Sequence, residues 1–336
     1  MSGHAFRSFA TLAIVISTTG CDNVEWGGVD VHFVRAPAAL VGSVPDSLAG
    51  KEEPGSFTLP KGAVLYMGTR DSTGVSLVPV GEIQRDSLLQ FRSERSAPGY
   101  RAAFARELMA AGNRFTLFSA GARVGTFTVR EVDTDQSVCT PRPRATGVTE
   151  LVPGAAEATR FLAIPEEFAK EIDYAAYQPL ESDRVQRDAA INLAGAVIPQ
   201  LGATSPTSMI EARADFAVAN MDGSPAVSTT FVFRDQLAIQ PAQPTSYSLY
   251  LLATPEGATY KTAYVWYREA AREGKGVPRY FQEMDWDGDG KTELLLDVMG
   301  ERSHWPAVVE ERGNEWTRTF EDICGVAKAA PAPTVR

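Results

Sequence analysis

Four carboxylates stand within nine residues near the carboxyl end of the chain, in the run Asp285-Trp286-Asp287-Gly288-Asp289-Gly290-Lys291-Thr292-Glu293-Leu294-Leu295-Leu296. Asp285, Asp287 and Asp289 are two apart, glycines hold the fourth and sixth places, and Glu293 holds the ninth. In a tight loop the odd positions turn to one side, which makes this the ligand spacing of a hard, oxygen-preferring cation. Gly290 lets the chain reverse, and Lys291 at the seventh place can offer its backbone carbonyl. The plainer reading is a polar turn that binds nothing. Against it, carboxylates this crowded repel one another unless a cation sits among them.

The flanks decide the kind of loop. An EF-hand requires a bidentate Glu at the twelfth place and a helix on each side. Here the twelfth place is Leu296, and Leu294-Leu295-Leu296-Asp297-Val298 reads as a buried strand. With apolar Trp286 at the second place and an acid at the ninth, the stretch resembles the calcium loops of FG-GAP and VCBS-type β-repeats, which pin propeller blades and surface β-modules. The resemblance implies Ca2+ as the cofactor, with Asp285, Asp287, Asp289 and Glu293 as side-chain ligands and Lys291 as a carbonyl ligand.

Little else in the sequence assembles into chemistry. Beyond the amino-terminal leader the histidines are His32 and His304, too few for a His-rich zinc site and outside any H-E-x-x-H pattern. His304 precedes Trp305-Pro306 and reads as a loop or strand-edge residue, not a base. No serine occupies G-x-S-x-G. Gly290-Lys291-Thr292 is superficially like a phosphate loop, but the first glycine of that motif falls on Asp285, and the carboxylates there would repel phosphate. Glu166 and Glu167, at an expected helix start, are partners of the helix dipole first. No catalytic residue is assigned. Glycosidase acids leave no short motif, so enzymatic activity stays open, with a non-enzymatic role preferred.

The elements that position the loop belong to an exported protein. Arg7 followed by the short apolar run Phe9–Ile16 is too brief to cross a bilayer as a helix and reads as a signal peptide over 1–20. Ser17-Thr18-Thr19-Gly20 before Cys21 resembles a bacterial lipobox, which implies lipidation of Cys21; the alternative is ordinary cleavage near Gly20. With Cys21 assigned to lipid, the three cysteines leave Cys139 and Cys324 as one pair in an oxidising envelope. A disulfide between them is expected, with two separate buried thiols as the alternative. Closing so long a loop would stabilise by up to about 5 kcal/mol. The formal charge of −10 argues against nucleic acid and against an anionic membrane surface as partners.

The pattern predicts a mainly β, α+β protein of two β-rich domains. The first, 21–138, is expected as a curled sheet or barrel with one covering helix. Apolar runs at Ala63–Met67 and Val75–Val80 flank a hairpin turn, Ser87–Phe91 is a further strand, and Arg114–Phe118 pairs with Val124–Val132. The helix between them is capped by Ser96 and shows Tyr100, Phe104, Leu108 and Ala111 on one face. Residues 136–149 are the expected linker, with Arg142 and Arg144 solvated. The second domain, 139–325, opens with a strand at Phe161–Ile164. Two helices follow, one starting at Pro165 and one over Asp183–Ile198 stopping before Pro199. A β-meander of eight strands runs from Ala212 to Phe320, with propeller-blade-like repeats. In it Leu251-Leu252-Ala253 matches Ala307-Val308-Val309 at an offset of 56, and the Asn220–Ser224 turn would be a degenerate copy of the metal loop, offset by 65. The tail, 326–336, is expected to be disordered.

Together these features predict a membrane-tethered lipoprotein of the bacterial cell envelope, on its periplasmic face or outer surface. It would carry a structural calcium site and act as a binding or scaffold module for a protein or glycan partner. The alternatives are an envelope glycan hydrolase with a structural calcium, or an accessory subunit of a membrane assembly.

Overall fold

The computed structural model describes residues 57–85, 87–90, 97–170 and 176–322, all within one compact unit, Val41–Arg336. The signal peptide expected over 1–20, Cys21, the strand expected at Val29–Val34, His32, Ser96, Cys324 and the tail over 326–336 lie outside the described residues. The chain is mostly β. Among the described residues no helix is long and apolar enough to cross a membrane.

The first layer is a closed antiparallel barrel of six strands. Its strands are β1 (Val64–Asp71), β2 (Gly74–Gln84), β4 (Arg114–Ser119), β5 (Ala122–Asp135), β6 (Arg142–Leu151) and β7 (Arg160–Pro165), with the short β3 (Ser87–Leu89) paired to β2. The order runs β1-β7-β4-β5-β6-β2, and the β1–β2 hairpin closes the ring. Side chains alternate across each strand. Val64, Tyr66, Leu77, Phe115, Phe127 and Phe161 fill the interior, where Tyr100 and Phe104 of α1 (Pro98–Leu108) join them. Leu108, expected on that helical face, packs there only partly buried, and Ala97 is the residue at the helix's N-cap.

Two of the barrel strands, β6 and β7, lie beyond the boundary expected at 138/139. The segment expected as a linker over 136–149 enters β6 at Arg142. Arg142 is not solvated: it is 2% exposed, donates to the Pro79 and Val80 carbonyls, and is ion-paired with Asp322. A prolyl and arginyl composition suggests loop, but both terminal nitrogens of the guanidinium donate to backbone or carboxylate oxygen, so the strand can bury it.

The remaining strands form two four-stranded antiparallel meanders in simple sequence order. One is β8 (Arg213–Met221), β9 (Ser224–Phe233), β10 (Tyr247–Glu256) and β11 (Thr259–Glu269); the other is β12 (Val277–Met284), β13 (Glu293–Met299), β14 (His304–Arg312) and β15 (Glu315–Glu321). Their last two strands share one register at an offset of 56. Leu252 faces Tyr264 and Ala253 faces Thr262 across a bulge; Val308 faces Phe320 and Val309 faces Arg318 across another.

These sheets stack on the barrel. Outward-facing Leu65, Phe118 and Leu162 of the barrel pack against Phe281, Leu295 and Val308. The other face of that sheet, with Leu294, Leu296 and Trp305, packs on Ala219, Tyr250 and Leu252 of the first meander. The far face of the latter meets Ala190, Ala194 and Ile198 of α3 (Arg184–Gln200). Strand β13 is therefore covered on both sides, which is why its sequence is a continuous apolar run with no alternation. A capping box between Asp183 and Gln186 starts α3, and the helix runs through Pro199 instead of stopping before it. Pro199 falls in the last turn, where the missing N–H costs one terminal bond. The helix expected at Pro165 is a single turn, α2 (Glu166–Ala169).

Candidate metal centre

The acidic run lies between β12 and β13, whose ends Met284 and Glu293 face each other in the ladder. The chain needs left-handed backbone at Gly288 (φ 79°) and Gly290 (φ 86°), which glycine adopts without a Cβ clash. Each aspartate then holds the backbone ahead of it. Asp285 accepts from Gly288 N (2.7 Å) and Gly290 N (2.9 Å), Asp287 from Asp289 N (3.1 Å), and Asp289 from Lys291 N (2.8 Å). Trp286, 3% exposed, anchors the loop in the core shared with the barrel, which is what its apolar second place is for. Its backbone N–H donates to Glu293 Oε2 at 3.0 Å.

The loop thus brings the four acidic residues of the sequence motif together. One carboxylate oxygen from each of Asp285, Asp287, Asp289 and Glu293 lies within 4.8 Å of all the others. A cation whose oxygen ligands sit at about 2.3–2.6 Å has opposite ligands about 4.6–5.2 Å apart, so all four oxygens fit one coordination sphere. Lys291, the carbonyl ligand implied by the resemblance, is held in the same loop through its N–H, while its ammonium points toward Glu311 (4.0 Å).

The electrostatics of the site call for positive charge. Glu293 is 2% exposed, and burial first, then the charges of Asp287, Asp285 and Glu310, push its pKa up to about 9. Burial, with Asp289, Asp285 and Glu310 adding to it, raises Asp287 to about 6. A bound divalent cation reverses both effects by supplying the charge that water and protons otherwise supply. The residues therefore fit a metal ion.

Glu310 escaped the sequence reading. It lines the same cavity of about 270 Å3 as Asp287, Asp289 and Glu293, and is held by Arg312. It lies 17 places beyond Glu293 in sequence, but Leu294 faces Val309 in the ladder, so Glu310 stands one step on, opposite Glu293. Only the β13–β14 register carries that signal.

Cys139 is disulfide-bonded. Its partner lies outside the described residues, as Cys21 and Cys324 both do. The Cys139 sulfur is 3.6 Å from Asp322 Oδ2, two places before Cys324 in the chain.

One further arrangement has the outline of a hydrolytic triad. Ser137 Oγ is 3.2 Å from His304 Nε2, and His304 Nδ1 is 2.6 Å from Asp297 Oδ1. The Ser137 hydroxyl, however, is 2.6 Å from Asp135 Oδ1, an acceptor stronger than an imidazole, and the backbone of Ser137 donates to the same oxygen. Asp297 is also paired with Arg279. Burial opposes the charge on His304, but the Asp297 hydrogen bond and the Asp297 and Asp135 charges outweigh it and raise its pKa. With its hydroxyl given to Asp135, Ser137 has no proton directed at the imidazole. The trio is a structural clamp holding the 135–139 segment on β14, where Cys139 N also donates to His304 O.

Comparison with models of known families, with curated proteins and with solved structures finds no match to this chain.

Proposed function

We propose that the chain is a lipid-tethered cell-envelope protein that acts as a binding or scaffold module, with Ca2+ in the 285–293 loop as a structural ion. The observation that carries the metal reading is the convergence of four carboxylate oxygens, within 4.8 Å of one another, at the entrance to a strand buried on both faces. Asp285, Asp287, Asp289 and Glu293 would supply side-chain oxygens and Lys291 its carbonyl, with Glu310 adding charge behind them. Bound there, the ion neutralises the loop and fixes the start of β13, on which both the barrel and the first meander pack. The two meanders would be blade-like copies of one unit, the first with its metal loop reduced to the Asp222-Gly223 turn.

Export and tethering rest on Arg7, the Phe9–Ile16 run and the small residues before Cys21. Lipid on Cys21 would leave Cys139 and Cys324 to pair. Cells fed a labelled fatty acid should label the wild-type protein and not Cys21→Ser.

The metal reading is tested by titrating calcium into the chelator-treated protein while following its melting temperature. Sites of extracellular modules bind at roughly 0.1–1 mM. A site of about 0.1 mM gains only about 1.4 kcal/mol from 1 mM calcium, so a rise of a few degrees is expected. Asp287→Ala or Asp289→Ala should abolish the rise; an undiminished rise in both would refute the ligand assignment.

A further inference from the structure

The mouth of the barrel formed by the start of β1, the start of β4 and the end of β7 opens into a cavity of about 450 Å3. That volume is within the range of small-molecule sites, and its floor is built from the barrel's own interior: Val64, Tyr66 and Phe115. Tyr66 lines this cavity and is 0% exposed, and among the described residues its hydroxyl has no hydrogen-bond partner. Its ring is fixed edge-on against Phe115, with centroids 4.9 Å apart, so the hydroxyl is not free to seek one elsewhere. A buried hydroxyl left unpaired is costly, and proteins keep few of them.

The rim narrows the chemistry of what would answer it. Glu107, Glu166 and Glu167 face Arg114 and Lys170, and Arg114 is already paired with Glu166 at 3.2 Å. The rim is therefore close to neutral and offers nothing like the cationic nest a phosphate needs. Burial first, then the Glu167 charge, holds the Tyr66 hydroxyl protonated, so it acts as a donor. A carboxylate ligand would accept from Tyr66 but would be repelled by Glu167. An ammonium would suit Glu167 but cannot accept from Tyr66. A hydroxyl does both, accepting from Tyr66 and donating to Glu167. The apolar and aromatic floor suits the C–H faces of a small ring, and the mixed rim suits further hydroxyls.

We propose that this barrel mouth is a binding site for a small neutral polyhydroxylated ring compound, of the monosaccharide class. The site shares no residue with the acidic loop, so its failure would leave the metal reading intact, and the converse also holds.

The test is saturation-transfer NMR on the full chain, with D-glucose as probe and octanoate as an anionic amphiphile of comparable size. Glucose should give a saturable signal, weakened about tenfold in affinity by Tyr66→Phe, which keeps the ring and removes the donor. The exposed Glu167→Gln should weaken it several-fold while leaving the melting temperature unchanged. No glucose signal at about 50 mM, octanoate binding in preference to glucose, or equal glucose affinity in both variants would overturn the proposal and leave the hydroxyl to water alone.

Discussion

Asp222 Oδ1 accepts the backbone N–H of Thr292 at 2.8 Å, tying the β8–β9 turn to the acidic loop between β12 and β13 across 70 residues. The Asp222 N–H returns a longer bond to Thr292 Oγ1 at 3.4 Å. These two connections hold the same place in their respective meanders, between first and second strands. The resemblance between them is therefore also a contact. The turn that lacks the acidic series gives its one carboxylate to the loop that has it.

That contact should be felt as metal affinity. Asp222 has a left-handed backbone (φ 53°), so Asp222→Gly removes the acceptor without adding strain. Losing one such bond at the surface is worth about 1 kcal/mol, which is roughly fivefold in an equilibrium constant. Calorimetric calcium affinity should fall by that order in Asp222→Gly and hold in Asp222→Asn, which keeps the oxygen. Equal affinity in all three would mean the loop is set without its neighbour.

Calcium uptake should release protons. With Glu293 raised to about 9 and Asp287 to about 6 in the metal-free chain, about one proton must leave at pH 7 for the ion to enter. The affinity should then rise up to about tenfold per pH unit between about pH 6 and 9. Titrations in two buffers of different ionisation enthalpy, PIPES and Tris, count the protons directly. The linkage sign without calcium is the opposite. These acids have raised folded pKa values, so the metal-free protein loses stability as pH rises, and calcium should restore it. A proton count of zero at pH 7 would place Glu293 outside the ion's reach.

Much of this was legible in the sequence because local pattern and tertiary demand agree. The Asp285–Glu293 spacing, the glycines at 288 and 290 and the strand after them all follow from residue type, and so do the hairpins at Gly74 and Gly121. The offset of 56 between Leu252 and Val308 is repeated in the ladders down to the bulge. What failed were features set by pairing far along the chain. Arg142 looked like linker because its partners, the Pro79 and Val80 carbonyls and Asp322, are distant in sequence. Glu310 was missed because only register sets it beside Glu293. Ser137 and His304 were not linked because the bridge between Val138 and His304 crosses 166 residues.

The Arg142–Asp322 pair is 2% and 1% exposed at its side chains, deep enough that neither charge can be left alone. Removing one partner of such a pair typically costs about 3–5 kcal/mol, because the other is stranded away from water. Asp322→Ala should destabilise by that amount in denaturant titrations, while exchanging the exposed Arg184–Asp188 pair for alanines should cost under about 1 kcal/mol. A small effect at Asp322 would mean water reaches Arg142 when its partner is gone.

The clamp around His304 sets a different pH dependence, on the alkaline side. Its folded pKa is raised: burial works against the charge, but the Asp297 bond and the Asp297 and Asp135 carboxylates prevail. A histidine of this kind lends stability that is fully present below its unfolded pKa of about 6.5 and is lost as pH climbs through the raised value. Asp297, held low by His304 and Arg279 despite its burial, gives the complementary loss only in strong acid. With calcium saturating, so that Glu293 and Asp287 no longer titrate, the melting temperature should fall as pH rises above about 6.5. His304→Gln should be less stable at pH 6 but flatter across that range, since glutamine cannot lose a proton. Identical slopes for the two proteins would mean the imidazole is already neutral between its carboxylates, and Ser137 would then face a base after all.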